Sequence, residues 1–307
     1  MKKQLYNNIY LLFILLLLST FAVAGCEQSG PGELKESKAS TKSVPTLLGD
    51  ITIPSHPSRI AAFGMPGDLV AIGLNPICGN SEARLFDGLL LEEKYQYAEI
   101  NDFETIMAQS PDLIIVSYKP EPDIYKKLSA IAPTVTLDSL SLSMPDRIRF
   151  LGDILDRKTD AEKAISNFEK ASKKAKEKLL EAGINGKTVT IMEGDYLFGD
   201  KYGRGANIVY NYLGFSAPPK LSEAFKRGDL YLQISMETLP DYCGDYIIES
   251  VWDGSEDLSN NPIWNTIPAV KKNHVIKIDF TDYYSGDLYT SNKQLTHLTD
   301  AFLALAQ

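Results

Sequence analysis

This chain of 307 residues contains few histidines, and its basic residues are outnumbered by acidic ones. The first shortage argues against two kinds of catalytic or metal site, and the second against nucleic-acid binding. The three histidines lie far apart, without acidic or cysteine ligands around them, which argues against a zinc site of the usual kind and against a histidine-dependent catalytic triad. Lysine and arginine total 31 against 40 acidic residues, for a formal net charge of -9. Binding to a nucleic-acid backbone needs a basic surface, so nucleic acid is a poor partner.

Cysteine is equally sparse, with three in the chain. Cys78 and Cys243 follow no spacing rule that would pair them, so we expect two buried free thiols, with an export-compartment disulfide as the alternative. The sequence also has no phosphate-binding glycine loop and no evident nucleophile with a neighbouring base. These absences argue against an enzyme.

The N-terminal residues predict export. Two lysines precede an almost continuous apolar run over residues 9–23, whose length of about 15 residues is less than a membrane-spanning helix requires. The run ends in the tetrapeptide VAGC, which is similar to a bacterial lipobox. This resemblance implies a lipoprotein signal peptide over residues 1–25 and a diacylglycerol on the thiol of Cys26. An ordinary secretory signal followed by a chance cysteine is the alternative.

The rest of the chain predicts an α/β protein with two lobes. Residues 26–45, rich in serine, lysine and glutamate, should form a flexible tether. Short apolar runs without polar alternation are typical of strands covered on both faces, and they occur in two groups. We therefore predict an N-terminal lobe over 46–143, a connecting helical segment over 144–183 and a C-terminal lobe over 184–307. The predicted strands are 59–63, 76–79, 112–116, 134–137, 188–192, 245–249 and 274–279.

The connecting segment contains the strongest helical pattern in the chain, from about residue 160 to 182. Thr159 and Glu162 have the spacing of a capping box, and Gly183 is suited to follow the last helical residue. A helix of this length spans roughly 35 Å and would act as a rigid strut between the lobes. The apolar stripe predicted to face the core is Ala161, Ala164, Ile165, Phe168, Ala171, Ala175 and Leu179.

Several segments, taken in order, resemble one family. They are IPSHPSRI at 53–60, LVAIGLNPI at 69–77, FETI at 103–106, SPDLII at 110–115, IAPTV at 131–135, and NPIW at 261–264 with AVK at 269–271. The set is similar to the iron-siderophore and cobalamin class (class III) of ABC-transporter substrate-binding lipoproteins, and especially to ferric hydroxamate siderophore receptors. The resemblance covers residues 48 to 305.

The resemblance implies a binding protein of defined architecture. Two Rossmann-like lobes joined by a single long α-helix would hold a ferric siderophore, of hydroxamate or mixed hydroxamate-carboxylate type, in the cleft between them. The protein would be a monomer anchored by lipid on the extracytoplasmic face of the cell membrane, and would deliver its ligand to ABC permease subunits. It would need no cofactor and no direct metal ligand, because the siderophore already surrounds its iron with oxygens.

Candidate ligand-binding residues follow the predicted strands. Arg204 and Tyr202 lie in FGDKYGRG, which is similar to the aromatic-Gly-Arg-Gly stretch of hydroxamate receptors, where the arginine contacts hydroxamate oxygens. A surface salt bridge is the alternative role for Arg204. Tyr283 and Tyr284 resemble the family's aromatic at the last strand, although side-chain alternation could turn one of them to the core. In the first lobe, the residues at expected cleft positions are Met65, Arg84, Tyr118 and Lys119.

Two glutamates match the family's permease-docking pair, one in each lobe. Glu104 follows Asn101 and Asp102, and Glu237 follows Ser235. Both are also expected in the first turn of a helix, where an acidic side chain stabilises the helix dipole, and this role is compatible with docking.

Three alternatives stay open at this point. One alternative is a haem receptor of the same fold, which Met65 would suit. Another is a cobalamin receptor. It would need a wide aromatic cleft with little charge, and Arg84 and Arg204 argue against such a cleft. A lipid-anchored extracellular hydrolase is the alternative from another class, and the dispersed histidines weigh against it.

Overall fold

The computed structural model describes residues 40–80, 94–184, 186–199 and 203–306. The described chain begins with an antiparallel ribbon, in which β1 (Thr41–Val44) pairs with β2 (Ile51–Pro54). The predicted tether over 26–45 is therefore too long at its C-terminal end, because the last residues of that segment form a strand. Val44, the single apolar residue of TKSV, is also the single residue of this strand that enters the core.

The first lobe is built on a five-stranded parallel sheet with the order β5-β4-β3-β6-β7. Its two central strands are buried at every position, which explains why their sequences, IAAF and LIIV, lack polar alternation. The strands are β3 (Ile60–Phe63), β4 (Cys78–Gly79), β5 (Gln96–Tyr97), β6 (Leu113–Val116) and β7 (Thr134–Thr136). The helices among them are α1 (Gly67–Ala71), α2 (Phe103–Ala108) and α3 (Pro122–Ile131).

Two helices, α4 (Met144–Ile154) and α5 (Lys158–Glu181), connect the sheets in sequence. The predicted capping box is wrong, because α5 already begins at Lys158, behind an N-cap residue, Arg157, whose side chain makes no capping hydrogen bond. The predicted end is confirmed. Gly183 has a φ of 74°, its N–H donates to Leu180 O at 3.0 Å, and the N–H of Ile184 donates to Leu179 O at 3.1 Å, which is a Schellman motif.

The buried face of α5 differs from the predicted stripe at one position. Ala171 is exposed, and the neighbouring Ser172 is buried in its place. The hydroxyl of Ser172 donates to Phe168 O at 2.8 Å, so the polar group is satisfied within the helix itself.

The second lobe has a mixed five-stranded sheet with the order β10-β9-β8-β11-β12. Strands β8, β11 and β12 are parallel, whereas β9 and β10 are antiparallel additions at one edge. The strands are β8 (Val189–Glu193), β9 (Tyr196–Phe198), β10 (Tyr231–Gln233), β11 (Tyr246–Val251) and β12 (Val275–Asp279). The helices are α6 (Pro219–Lys226), α7 (Pro268–Lys271), α8 (Phe280–Tyr284) and α9 (Leu288–Leu305), with a π-helical turn at Ile208–Tyr212.

A continuous apolar core runs from the first sheet to the second. It includes Ile60 and Ile115 of the first sheet, Phe168 of α5, and Ile191 and Ile248 of the second sheet. The C-terminal helix α9 packs against both α5 and α1, so it belongs to the second lobe in sequence but also touches the first. The lobes are thus joined by packed helices as well as by the chain.

The cysteines are free thiols, as expected from the sequence, although Cys243 is less buried than predicted. Cys78 is a buried free thiol and Cys243 a partly buried one, and burial raises the pKa of Cys78 to about 11 and that of Cys243 to about 12. Trp264 is buried in the core of the second lobe. Across the described residues, none of the helices combines the length and apolar character needed to cross a membrane.

Candidate functional site

A cavity of about 940 Å³ lies where the two lobes face each other. The first lobe contributes residues that follow three of its strands: Gly64 and Met65 follow β3, Asn80 follows β4 and Tyr118 follows β6. The second lobe contributes Arg204, after β9, and Tyr284, after β12. Ligands of parallel α/β sheets bind beyond the carboxyl ends of the strands, so this cleft lies where the fold favours a binding site.

Arg204 is a strongly constrained cation of the cleft. Its Nε lies 2.7 Å from Glu193 Oε2 and its Nη2 2.8 Å from Glu193 Oε1, which is a bidentate ion pair. Ser250 holds the same carboxylate by donating its hydroxyl hydrogen to Glu193 Oε2 at 2.9 Å. The salt bridge foreseen as an alternative role therefore exists, but it is buried rather than on the surface, with Arg204 only 7% exposed.

Aromatic rings surround the guanidinium of Arg204. Its Cζ lies 4.8 Å from the ring centres of both Phe198 and Phe280, and 5.2 Å from that of Tyr284. Cation–π attraction fixes the planar group and leaves it at the wall of the cleft. This part of the site thus combines an oriented cation with flat apolar surface.

The backbone around Arg204 explains the glycines of the GRG segment. Gly203, Arg204 and Gly205 all have positive φ values, of 78°, 52° and 74°. A Cβ on Gly203 would lie 2.7 Å from Tyr284 O, and one on Gly205 would lie 2.9 Å from Cδ1 of Tyr283. The two glycines are required by these close approaches as well as by the left-handed backbone.

Tyr283 and Tyr284 have opposite environments. They lie in α8, a short helix, so side-chain alternation along a strand does not apply to them. Tyr284 is 58% exposed and lines the cleft, whereas Tyr283 is 3% exposed and its hydroxyl lies 2.6 Å from His297 Nδ1. Burial raises the pKa of Tyr283. Of the two tyrosines, Tyr283 is therefore the one that turns to the core, and Tyr284 is the one that lines the cleft.

The other predicted residues are divided between the cleft, the surface and the part of the chain that is not described. Met65 and Tyr118 line the cleft, whereas Lys119 is exposed and is not among the residues found to line it. Arg84, Tyr202 and the lipidation residue Cys26 lie outside the described residues.

A buried ionic cluster at the base of the cleft was missed by sequence reasoning. Arg147 of α4 makes an ion pair through Nε with Asp68 Oδ2, and its Nη2 lies 3.3 Å from Asp68 Oδ1 and donates to Gly286 O at 3.0 Å. Asp68 Oδ1 also accepts the N–H of Leu288 at 2.8 Å. These contacts join α1, α4 and the start of α9, and Arg147 lines the cleft. Burial raises the pKa of Asp68, and the guanidinium of Arg147 opposes that rise.

The two candidate docking glutamates are both exposed. Glu104 lies in the first turn of α2, as predicted, behind Asp102, whose carboxylate accepts the N–H of Thr105 at 3.2 Å. The helical prediction for Glu237 is wrong, because this residue lies in a turn that precedes the 3₁₀ helix Leu239–Tyr242. A hydrogen bond from the side chain of Ser235 lowers the pKa of Glu237.

Comparison with known proteins gives a consistent result. A family model described as periplasmic binding protein matches residues 94–281. Two proteins of Bacillus subtilis (strain 168), the iron(3+)-hydroxamate-binding proteins YxeB and FhuD, are 31% and 32% identical to this chain. The alignment with YxeB covers 98% of each chain, and that with FhuD covers 94% of this chain and 95% of the relative.

A solved structure supports the same relationship. A FhuD fold-family periplasmic binding protein, described as a component of a Fep/Fec-like ferrichrome ABC transporter from Bacillus subtilis, superimposes with a TM-score of 0.73 at 31% identity. The match covers 85% of this chain and 99% of that one.

Proposed function

Because this chain belongs to the periplasmic binding protein family, we propose that it is the substrate-binding protein of an ABC importer and that its cargo is a ferric siderophore of the hydroxamate type. The family consists of binding proteins, not enzymes. The observation that carries the choice of cargo is Arg204, oriented by Glu193 at the wall of a cleft whose other surfaces include exposed aromatic rings.

The chemistry of the cleft matches that of a ferric hydroxamate. Such a complex holds its metal in six oxygens and presents partly negative oxygens on an otherwise compact shell. A charge-assisted hydrogen bond from a guanidinium recognises those oxygens, and ring faces such as that of Tyr284 pack on the shell. The cleft volume of about 940 Å³ is suited to a ligand of this size. We assign Met65, Tyr118, Arg204 and Tyr284 to ligand contact on these grounds.

The remaining parts of the proposal concern location and partners. We propose that the protein acts outside the cytoplasm as a monomer, anchored in the membrane through lipid on Cys26, and that Glu104 and Glu237 dock onto the two permease subunits. Their exposure and their opposite-lobe positions support this role, since charged groups at a rim set orientation and encounter rate. The division into lobes at 46–143 and 184–307 belongs to the same proposal.

Fluorescence quenching tests the assignment of the cargo. The full-length protein in detergent is titrated with a ferric hydroxamate, a ferric catecholate, ferric citrate, haem and cobalamin, and its tyrosine and tryptophan emission is followed. We expect tight, saturable quenching by the ferric hydroxamate. Binding of haem or cobalamin alone would overturn the ligand class but keep the family. Failure of every ligand would overturn the proposed cargo altogether.

A further inference from the structure

Only a small part of the Arg204 side chain reaches the cleft. The residue lines the cleft but is 7% exposed. Of the five N–H hydrogens of a guanidinium, the one on Nε and one on Nη2 are donated to Glu193, which leaves three for other partners. A hydrogen bond weakens steeply when its distance or angle departs from the preferred values. The groups that hold Arg204 in place should therefore affect how well it binds a ligand.

Ser250 supports the carboxylate that holds Arg204. This residue of β11 is buried, and its hydroxyl donates to Glu193 Oε2 at 2.9 Å. The same oxygen accepts the Nε–H of Arg204 at 2.7 Å. The side chain of Glu193 is 14% exposed, so little water is available to replace a lost donor. Without the hydroxyl of Ser250 the carboxylate would rotate more freely, and Arg204 would be held less firmly.

Trp252 supports Arg204 through a second contact. It directly follows β11 and packs against Phe280 with ring centres 6.4 Å apart and an angle of 67° between the rings, which is the favoured edge-to-face arrangement. The guanidinium of Arg204 lies over the ring of Phe280, with Cζ 4.8 Å from its centre. Trp252 thus helps to fix a ring that orients the cation.

Neither Ser250 nor Trp252 is among the described residues that line the cleft. Both belong instead to the wall of a separate cavity of about 310 Å³ in the second lobe. An effect of these two residues on ligand binding must therefore pass through the residues that they contact.

From these contacts we infer that Ser250 and Trp252 are positioning residues, which set the ligand affinity of the cleft by orienting Arg204. Ser250 acts through Glu193, and Trp252 acts through Phe280. The inference rests on the proposed function, in which Arg204 contacts the ligand, and extends it to two residues outside the cleft.

Calorimetric titration of variants tests the inference. The full-length protein in detergent is titrated with two ferric hydroxamates, ferrichrome and ferrioxamine B, and the one that binds more tightly is used for every variant. Ser250→Ala and Trp252→Leu should each weaken binding about threefold, because Arg204 keeps its charge but loses part of its orientation. Trp252→Phe retains a ring against Phe280 and should bind almost as tightly as the wild type. Unchanged affinity in Ser250→Ala and Trp252→Leu would overturn the inference.

Matched controls separate this effect from a general loss of structure. Tyr231 of β10 and Trp252 are each 46% exposed, and Tyr231 makes a similar edge-to-face contact with Tyr196. Ser172 of α5 is a buried serine with a hydrogen bond of its own. Tyr231→Leu and Ser172→Ala should bind like the wild type, and an equal loss of affinity in these controls would overturn the inference. Because Trp252 is partly exposed, Trp252→Leu tests the inference even if Ser250→Ala does not fold.

A double-mutant cycle shows whether the two residues act through Arg204. In the Arg204→Ala background, neither Ser250→Ala nor Trp252→Leu should weaken binding further, because the group that they orient is absent. A purely structural role, or a direct contact of Trp252 with the ligand, would cause the same loss in both backgrounds and would overturn the inference alone. Failure of the wild-type protein to bind either hydroxamate would overturn the proposed cargo and the inference together.

Discussion

Arg204 shows how a residue predicted for one role acquires a second. The GRG segment indicated a cleft arginine, but its partner Glu193 lies in another element, and the sequence around Arg204 contains no signal that selects it. The same limit explains Arg147 and Asp68, which are 79 positions apart. Local patterns predict that a charged residue follows a strand, whereas the choice of its buried partner depends on the packed fold.

Replacement of Arg204 should therefore affect two properties. In Arg204→Ala, we expect ligand affinity to fall by at least about tenfold, because the oriented cation is lost. We also expect the free energy of unfolding to fall by about 3 kcal/mol, because Glu193 is left mostly buried without its partner. Quenching titrations and urea denaturation measure the two effects. A folded Arg204→Ala protein with wild-type affinity would contradict the assigned contact.

The adjacent tyrosines provide a matched pair. Tyr284→Ala should weaken ligand binding by about tenfold with little loss of stability, because the ring is exposed in the cleft. Tyr283→Phe should leave affinity unchanged and lower stability by about 1 kcal/mol, because it removes the hydrogen bond to His297. Titration and thermal unfolding of both variants check this division. The reverse pattern would mean that Tyr283, not Tyr284, faces the ligand.

At the scale of elements, strands were easier to predict than helix starts. The short, mostly apolar runs of β3, β6, β8 and β11 are typical of strands covered on both faces. The start of α5 depends instead on the tight turn after α4, where the carbonyl of Arg157 accepts the N–H of Ala161 at 2.8 Å and so begins the helix earlier than Thr159 suggested. The edge hairpin β8–β9 was missed, although Gly194-Asp195 is a two-residue turn signal.

The C-terminus of α5 supports a prediction about one glycine. Gly183→Ala should lower the free energy of unfolding by about 1 kcal/mol, because alanine resists a φ of 74° although its Cβ would meet nothing within 4 Å. Gly183→Asn should lose less, since asparagine tolerates this conformation better. Chemical denaturation measures the stability of both variants. An alanine variant as stable as the wild type would show that the left-handed backbone at Gly183 imposes no strain on alanine.

For the whole molecule, the continuous core and the Asp68–Arg147 cluster restrain the lobes. We expect ligand binding to change the radius of gyration by less than about 1 Å, because packed helices and a buried ion pair would have to separate for a large hinge motion. Small-angle scattering of free and loaded protein measures this change. A large compaction on loading would show that the helices do not act as a strut.

The two exposed glutamates support a prediction about transport. Glu104→Gln and Glu237→Gln should each leave ligand affinity unchanged and reduce uptake into cells, because they alter encounter with the permease and not the cleft. Glu177→Gln, on the exposed face of α5, is the control and should transport normally. Loss of ligand binding in Glu104→Gln would contradict the separation of roles.

The contact between Asp68 and the N–H of Leu288 joins residues 220 positions apart. Closing so long a loop costs conformational entropy before any contact in the cluster forms, and slow folding is typical of such topologies. The first lobe cannot bury Asp68 beside all of its partners until α9 is available, and α9 follows every other described element in the sequence. A chain that lacks α9 would keep the ion pair between Asp68 and Arg147 but would leave this buried carboxylate without the N–H of Leu288 and without the helix that covers α1, so the last helix of the second lobe completes the packing of the first.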